Sequence, residues 1–282
     1  MGRRTRRSRW TRGWWIVLLL WPSAALAQKE CYEGVFCIVE ERHETYVDIF
    51  VENLHPGEVT VRFEMMLENL RPSVPLPFTA TYPPRRTTRA LRLDLVDPGE
   101  GWGYRFDMRW MYGSTVARHD DTYRYALPYP AGMAFPVGQG YDGAFSHRGH
   151  YAIDWVMPPG TPVLAAREGV VVEVRDTFTE GGLDERLRER ANRIKVRHDD
   201  GTIGAYVHLM PGGARVRVGQ RVRRGTLLGL SGHTGYSAGP HLHFEVFRID
   251  EHFRRITLPV RFVVEGHPEG VYPEEGVTYR HN

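Results

Sequence analysis

The chain is expected to be all-β, an N-terminal β-sandwich followed by an antiparallel β-sheet domain, and three observations predict this. Short runs of β-branched, aromatic and alternating residues recur along most of its 282 residues, separated by Gly, Pro, Asn and Asp. Only one segment, 183–190, carries helical spacing, with Leu183 and Leu187 four residues apart among charges. A Pro/Gly-rich break, Pro128-Tyr129-Pro130-Ala131-Gly132, interrupts both helix and ladder and divides the pattern in two.

Residues 1–27 read as a leader. Six arginines precede an apolar run from Trp14 to Trp21, and Ala25-Leu26-Ala27 supplies an A-x-A site. The apolar run is too short for a stable membrane span, so a signal peptide cleaved after Ala27 is predicted, with a soluble exported product. Its removal takes six of 37 basic residues and leaves 31 against 34 acidic ones, a net charge of about −3. The apparent basicity therefore belongs to the leader. Without a Lys/Arg excess to neutralise phosphates, nucleic-acid binding has no compositional support. In an oxidising compartment Cys31 and Cys37, flanking a short turn, are disulfide candidates; two buried thiols are the alternative.

Residues 28–127 form the first domain. Strand-like runs at 36–41, 46–53, 58–66, 77–82, 87–96, 102–110 and 122–127 alternate with turns such as Asn53-Leu54-His55-Pro56-Gly57 and Asp97-Pro98-Gly99-Glu100-Gly101. This is the pattern of a small antiparallel sandwich. Its histidines are scattered and gather no chemistry. Residues 128–137 are expected to be a linker and 138–282 the second domain. Strand runs there fall at 161–174, 194–198, 202–209, 215–222, 226–231 and 241–249. The 183–190 segment is either a solvated surface helix or a lid.

The second domain carries the chemistry. In His241-Leu242-His243-Phe244-Glu245-Val246 the period of two puts Leu242, Phe244 and Val246 on one face and His241, His243 and Glu245 on the other. At about 3.3 Å per residue the two imidazoles are attached roughly 6 to 7 Å apart, so one can hold a metal while the other handles a proton. In Tyr206-Val207-His208-Leu209 the same rule sends Val207 and Leu209 to the core and His208 outward with Tyr206. Asp154 follows His150 by four residues, about 13 Å on a straight strand, so the chain must bend if both are to share a zinc with bonds of ~2 Å. Glu245 either orients a metal-bound histidine or faces solvent. Histidines converging with an aspartate suit metal-assisted hydrolysis.

The order His150-x-x-x-Asp154, Tyr206-Val207-His208-Leu209 and His241-Leu242-His243 resembles the lysostaphin/LytM-type family of secreted zinc endopeptidases that cut peptide bridges in peptidoglycan. The likeness runs from about Gly138 to Val246 through Gly160-Thr161-Pro162-Val163 and Gly225-Thr226-Leu227-Leu228-Gly229-Leu230-Ser231-Gly232-His233-Thr234-Gly235. It implies an antiparallel metallopeptidase domain with an open groove and one Zn2+ per chain. His150, Asp154 and His243 would be the ligands, with His147 of the Ser146-His147 pair as the alternative first ligand. His208 and His241 would be the catalytic histidines, and Tyr141 is a positional candidate for transition-state stabilisation. Peptidoglycan stem peptides are the implied partners and the periplasm the implied location.

Two other readings stand beside this one. A catalytically silent relative could keep the fold and activate another wall hydrolase, but such proteins typically lose metal ligands that are all available here. A phosphocarrier of the sugar-transport type, also a β-fold with histidines at a groove, is opposed by the leader.

Overall fold

The computed structural model describes residues 26–282, so the expected signal peptide lies, but for its last two residues, outside the described region. The chain is all-β and forms two compact units. One takes in the described residues up to Tyr112 together with Glu251–Phe253; the other takes Gly113–Asp250 and Arg254–Asn282. Among the described residues no helix is long and apolar enough to cross a membrane.

The first unit contains β1 (Leu26–Tyr32), β2 (Phe36–Arg42), β3 (Tyr46–Asn53), β4 (Val59–Glu68), β5 (Leu70–Pro72), β6 (Phe78–Tyr82), β7 (Arg86–Leu95) and β8 (Gly103–Tyr112). They make two antiparallel sheets, ordered β1-β2-β3-β7-β5 and β6-β4-β8. One core, with Phe36, Ile49, Val61, Phe63 and Leu91 fully enclosed, lies within this sandwich. The expected turn after β3 closes on Asn53, whose Nδ2 donates to Gly57 O and Tyr82 O, both at 3.0 Å. Cys31 and Cys37 stand opposite each other in the β1–β2 hairpin and are joined by a disulfide.

The first unit's main stretch ends at Tyr112, fifteen residues before the expected end of the sandwich at residue 127, and the second unit begins directly after it rather than at 138. The run expected to be the last sandwich strand is β9 (Arg124–Ala126), which pairs in parallel with a strand at Arg261–Val264 and contributes Tyr125 to the second core. The following 128–132 segment is no free linker. Tyr129 is fully buried and its hydroxyl donates to Tyr279 O at 2.8 Å, while Pro128 O accepts from Leu164 N at 3.0 Å.

Then come β10 (Ala134–Gln139), β11 (Ala152–Trp155), β12 (Pro162–Leu164), β13 (Gly169–Arg175) and β14 (Gly181–Gly182). After a 3-10 turn at Glu185–Leu187 the chain forms β15 (Arg193–Arg197), β16 (Ile203–Val207), β17 (Arg221–Val222), β18 (Leu227–Leu230) and β19 (Gly235–Tyr236). It ends with β20 (Leu242–Ile249), β21 (Arg255–Leu258), β22 (Arg261–Val264), β23 (His267–Val271) and β24 (Thr278–Arg280). The main sheet runs β17-β13-β15-β16-β20-β11-β10-β24 with β21 added to β20, antiparallel throughout. Leu242, Phe244 and Val246 of β20 pack with Trp155, Tyr206 and Phe262. Each such side chain contributes roughly 1.5 to 3 kcal/mol over an exposed position, which anchors the strand whose opposite face bears the histidines.

No helix forms at 183–190, only the 3-10 turn capped by Asp184, whose Oδ1 accepts from Arg186 N at 2.9 Å. The segment has no face to bury: none of the turn's residues is buried and Leu183 is exposed, so nothing offsets the cost of starting a helix. The excursion is held instead by parallel pairing of β14 with β19. A β-carbon at Gly181 would collide with His233 O, so only glycine permits this approach.

Candidate metal centre

The site is assembled on the polar face of the main sheet where β11 lies against β20. Asp154 and His243 are directly opposite in register, and His243 Nδ1 lies 2.9 Å from Asp154 Oδ1. His241, one step back along the same face, brings its Nε2 to 3.6 Å from that oxygen. The third group is His147, with Nε2 3.4 Å from Asp154 Oδ1. His147, Asp154 and His243 each offer one ligand atom, and these atoms all lie within 4.8 Å of one another.

His150, favoured at the sequence level, does not join them. It is exposed, and its backbone N–H donates to His147 O at 2.8 Å, closing a turn in which Gly149 has φ +71°. This turn is the bend that the spacing required. It comes before His150 and carries His147 inward, because residues after it already run straight into β11.

His147 is held by its far nitrogen: Nδ1 lies 2.9 Å from Gly140 O. A carbonyl can only accept, so Nδ1 carries the proton and Nε2 presents a lone pair. That Nε2 is buried and makes no hydrogen bond. His208 and His241 follow the same rule, with Nδ1 2.6 Å from Thr234 O and 2.8 Å from Gly239 O respectively. Their rings are neighbours, with centroids 4.6 Å apart, and His208 lies 6.0 Å from the His243 ring.

His208 reaches this face by a departure from strand geometry. Tyr206, expected to point outward, is in the core; its hydroxyl accepts from Ala166 N at 2.8 Å. Continued alternation would have sent His208 into the core as well. Instead β16 ends at Val207 and His208 takes φ +64°, which flips the parity so that His208 meets the other histidines while Leu209 is buried.

One residue outside the expected set belongs to the centre. Gln139, opposite Asp154 in the β10–β11 pair, donates from Nε2 to Asp154 Oδ2 at 3.1 Å and to Ser146 Oγ at 2.8 Å. Its Oε1 accepts from Ser146 N at 2.8 Å, so one amide orients the carboxylate and pins the loop bearing His147. Nothing in a lone Gln signals this before the pairing is known. Tyr141, in contrast, is committed elsewhere: its hydroxyl donates to Val260 O at 2.8 Å and accepts from Val260 N at 3.0 Å.

The electrostatics separate the histidines into two kinds. Burial pushes His208 down to about 3 and lowers His241 from its ordinary value, so both are neutral near pH 7. Burial also opposes a charged His243, but the hydrogen bonds and charges of Asp154 and Glu245 outweigh it and raise this ring to about 9. Burial would raise Asp154, but the hydrogen bond and charge of His243, with the nearby His241, outweigh it and hold this carboxyl well below the usual carboxylate range.

The profile of peptidase family M23 matches residues 148–254, a span that includes Asp154, His208, His241 and His243 and begins one residue after His147. The chain carries a peptidase family M23 domain. Curated relatives agree. The glycyl-glycine endopeptidase ALE-1 of Staphylococcus capitis is 41% identical over 97 residues, 34% of this chain and 24% of that protein. The peptidoglycan DD-endopeptidase ShyA of Vibrio cholerae is 33% identical over 124 residues, 42% of this chain and 26% of that protein. Lysostaphin of Staphylococcus simulans is 34% identical over 132 residues, 46% of this chain and 24% of that protein. The chain thus spans about a quarter of the length of these relatives. The β10–β11–β20 pairing places a carboxylate, its amide support and His243 on three adjacent strands.

Proposed function

We propose that this protein is an exported, zinc-dependent endopeptidase that hydrolyses the peptide cross-links of bacterial peptidoglycan. The observation that carries this reading is the convergence of His147, Asp154 and His243 inside an M23 domain. Two imidazoles and a carboxylate form a donor set suited to zinc with a position left open. The buried, unbonded Nε2 of His147 beside a carboxylate oxygen fits the same ion, since leaving such a nitrogen unpaired costs about 1 to 3 kcal/mol. One zinc ion per chain would polarise the scissile carbonyl and supply a water whose pKa is lowered to ~7.

The chain's own groups handle the protons. His208 and His241 are neutral, with Nδ1–H tied to a carbonyl, so each presents a bare Nε2. One such nitrogen takes the proton of the attacking water. The ring that has gained it is an imidazolium, whose Nε2–H stabilises the charge on the attacked carbonyl oxygen and is then given to the departing amine. Gln139 keeps the second Asp154 oxygen occupied and the carboxylate fixed.

Family membership and relatives named as a peptidoglycan DD-endopeptidase and a glycyl-glycine endopeptidase support the wall as substrate. The leader-like residues 1–27 support a periplasmic enzyme acting on stem-peptide cross-links. Digestion of purified sacculi by the zinc-loaded protein, with mass spectrometry of the new termini, tests this. Release of cross-link cleavage products, abolished by chelator and restored by zinc, is expected. Intact sacculi alongside cleaved oligoglycine peptides would overturn the assignment of the bond.

A further inference from the structure

Glu245 lies two residues beyond His243 on the same face of β20, so the two side chains project side by side. It is not a solvent-facing carboxylate: only 3% of its side chain is exposed. Its cross-strand partners are Ala152 on β11 and Ala205 on β16. Its two oxygens are divided. Oε1 pairs with Arg255 at 2.8 Å on β21, and Oε2 lies 3.8 Å from His243 Nε2. The opposite edge of the same imidazole meets Asp154 through Nδ1 at 2.9 Å.

We infer that Glu245 is a positioning residue for His243, its carboxylate charge drawing the ring proton to Nε2 so that Nδ1 is the nitrogen presented to the metal. The inference rests on the zinc reading above. A neutral imidazole has one N–H, and a carboxylate beside Nε2 draws the proton there and orients the ring. Arg255 completes the device by holding the carboxylate from behind, which stops it turning away.

The test uses the full-length protein and zinc alone, with affinity measured by chelator competition for the wild type, Glu245→Gln and Glu245→Ala, and with nitrogen-15 NMR of the histidine rings. Glu245→Ala is expected to bind zinc roughly ten- to a hundredfold more weakly. Glu245→Gln should lose less, since its amide carbonyl still favours the proton on Nε2. In the zinc-loaded wild type, the His243 ring should be protonated at Nε2 and metallated at Nδ1, a signature that a purely structural Glu245–Arg255 pair would not set. Unchanged zinc affinity in Glu245→Ala, or metal on Nε2, overturns the inference. Should Glu245→Ala fail to fold, the wild-type spectrum decides alone. A wild type that holds no zinc overturns the zinc reading itself.

Discussion

Asp154 and His243 face each other across one antiparallel strand pair, 2.9 Å from Oδ1 to Nδ1, although 89 positions separate them in the chain. The register of β11 against β20 therefore sets the geometry of the centre, and the packed Leu242 and Phe244 on the reverse face keep that register from slipping.

Replacing Asp154 by Ala removes the one group that all three neighbouring histidines approach. Zinc content should fall to background. Cross-link cleavage should drop by more than the roughly 10- to 100-fold that loss of a merely supporting partner costs. Metal analysis and sacculus digestion on the same preparation check both. Stoichiometric zinc in this variant would contradict the account.

His147→Ala and His150→Ala separate the two candidate first ligands. The structure buries His147 beside Asp154 and leaves His150 exposed, so the first variant should lose zinc and the second should keep wild-type zinc and activity within about twofold, as expected of a surface change away from the site. The reverse pattern would restore the four-residue spacing as the operative one.

His208→Ala and His241→Ala should retain zinc yet cleave roughly 10²- to 10⁴-fold more slowly, the range associated with lost proton transfer. Metal content measured beside turnover distinguishes this from ligand loss. A variant that cleaves normally would remove that histidine from the proton path.

In the sandwich, Asp48 is held below the ordinary carboxylate range, first by hydrogen bonds from Arg92, whose Nε and NH2 reach Oδ1 and Oδ2 at 2.9 and 2.8 Å, against a desolvation that acts the other way. A depressed carboxylate contributes stability that is present above its unfolded value, near 3.8, and is lost as pH falls through the folded one. Asp48→Asn should thus destabilise by about 1.5 to 3 kcal/mol at pH 7, and the difference from wild type should shrink at pH 3. Urea denaturation at the two pH values checks this; an equal difference at both would contradict it.

Local alternation made β20 legible: with Leu242, Phe244 and Val246 inside, His241 and His243 had to share the other face. The turn at Asn53 and the span of β3 were equally plain, since both depend on neighbours in sequence. What escaped depends on tertiary pairing or on single backbone angles. His147 replaces His150 because of one turn through Gly149, and His208 reaches the site face although Tyr206 is inside because His208 adopts a left-handed conformation. The first unit ends at Tyr112 because β9 finds a parallel partner far along the chain. Glu245 looked free to face solvent until Arg255 on the adjoining strand enclosed it.

The central claim is that His147, Asp154 and His243 hold one zinc ion. Anomalous diffraction at the zinc edge from crystals of the zinc-loaded protein tests it most directly. The account predicts one peak about 2.0 to 2.2 Å from a nitrogen of each histidine and an oxygen of Asp154. A peak coordinated by His150, or none between β11 and β20, would contradict it.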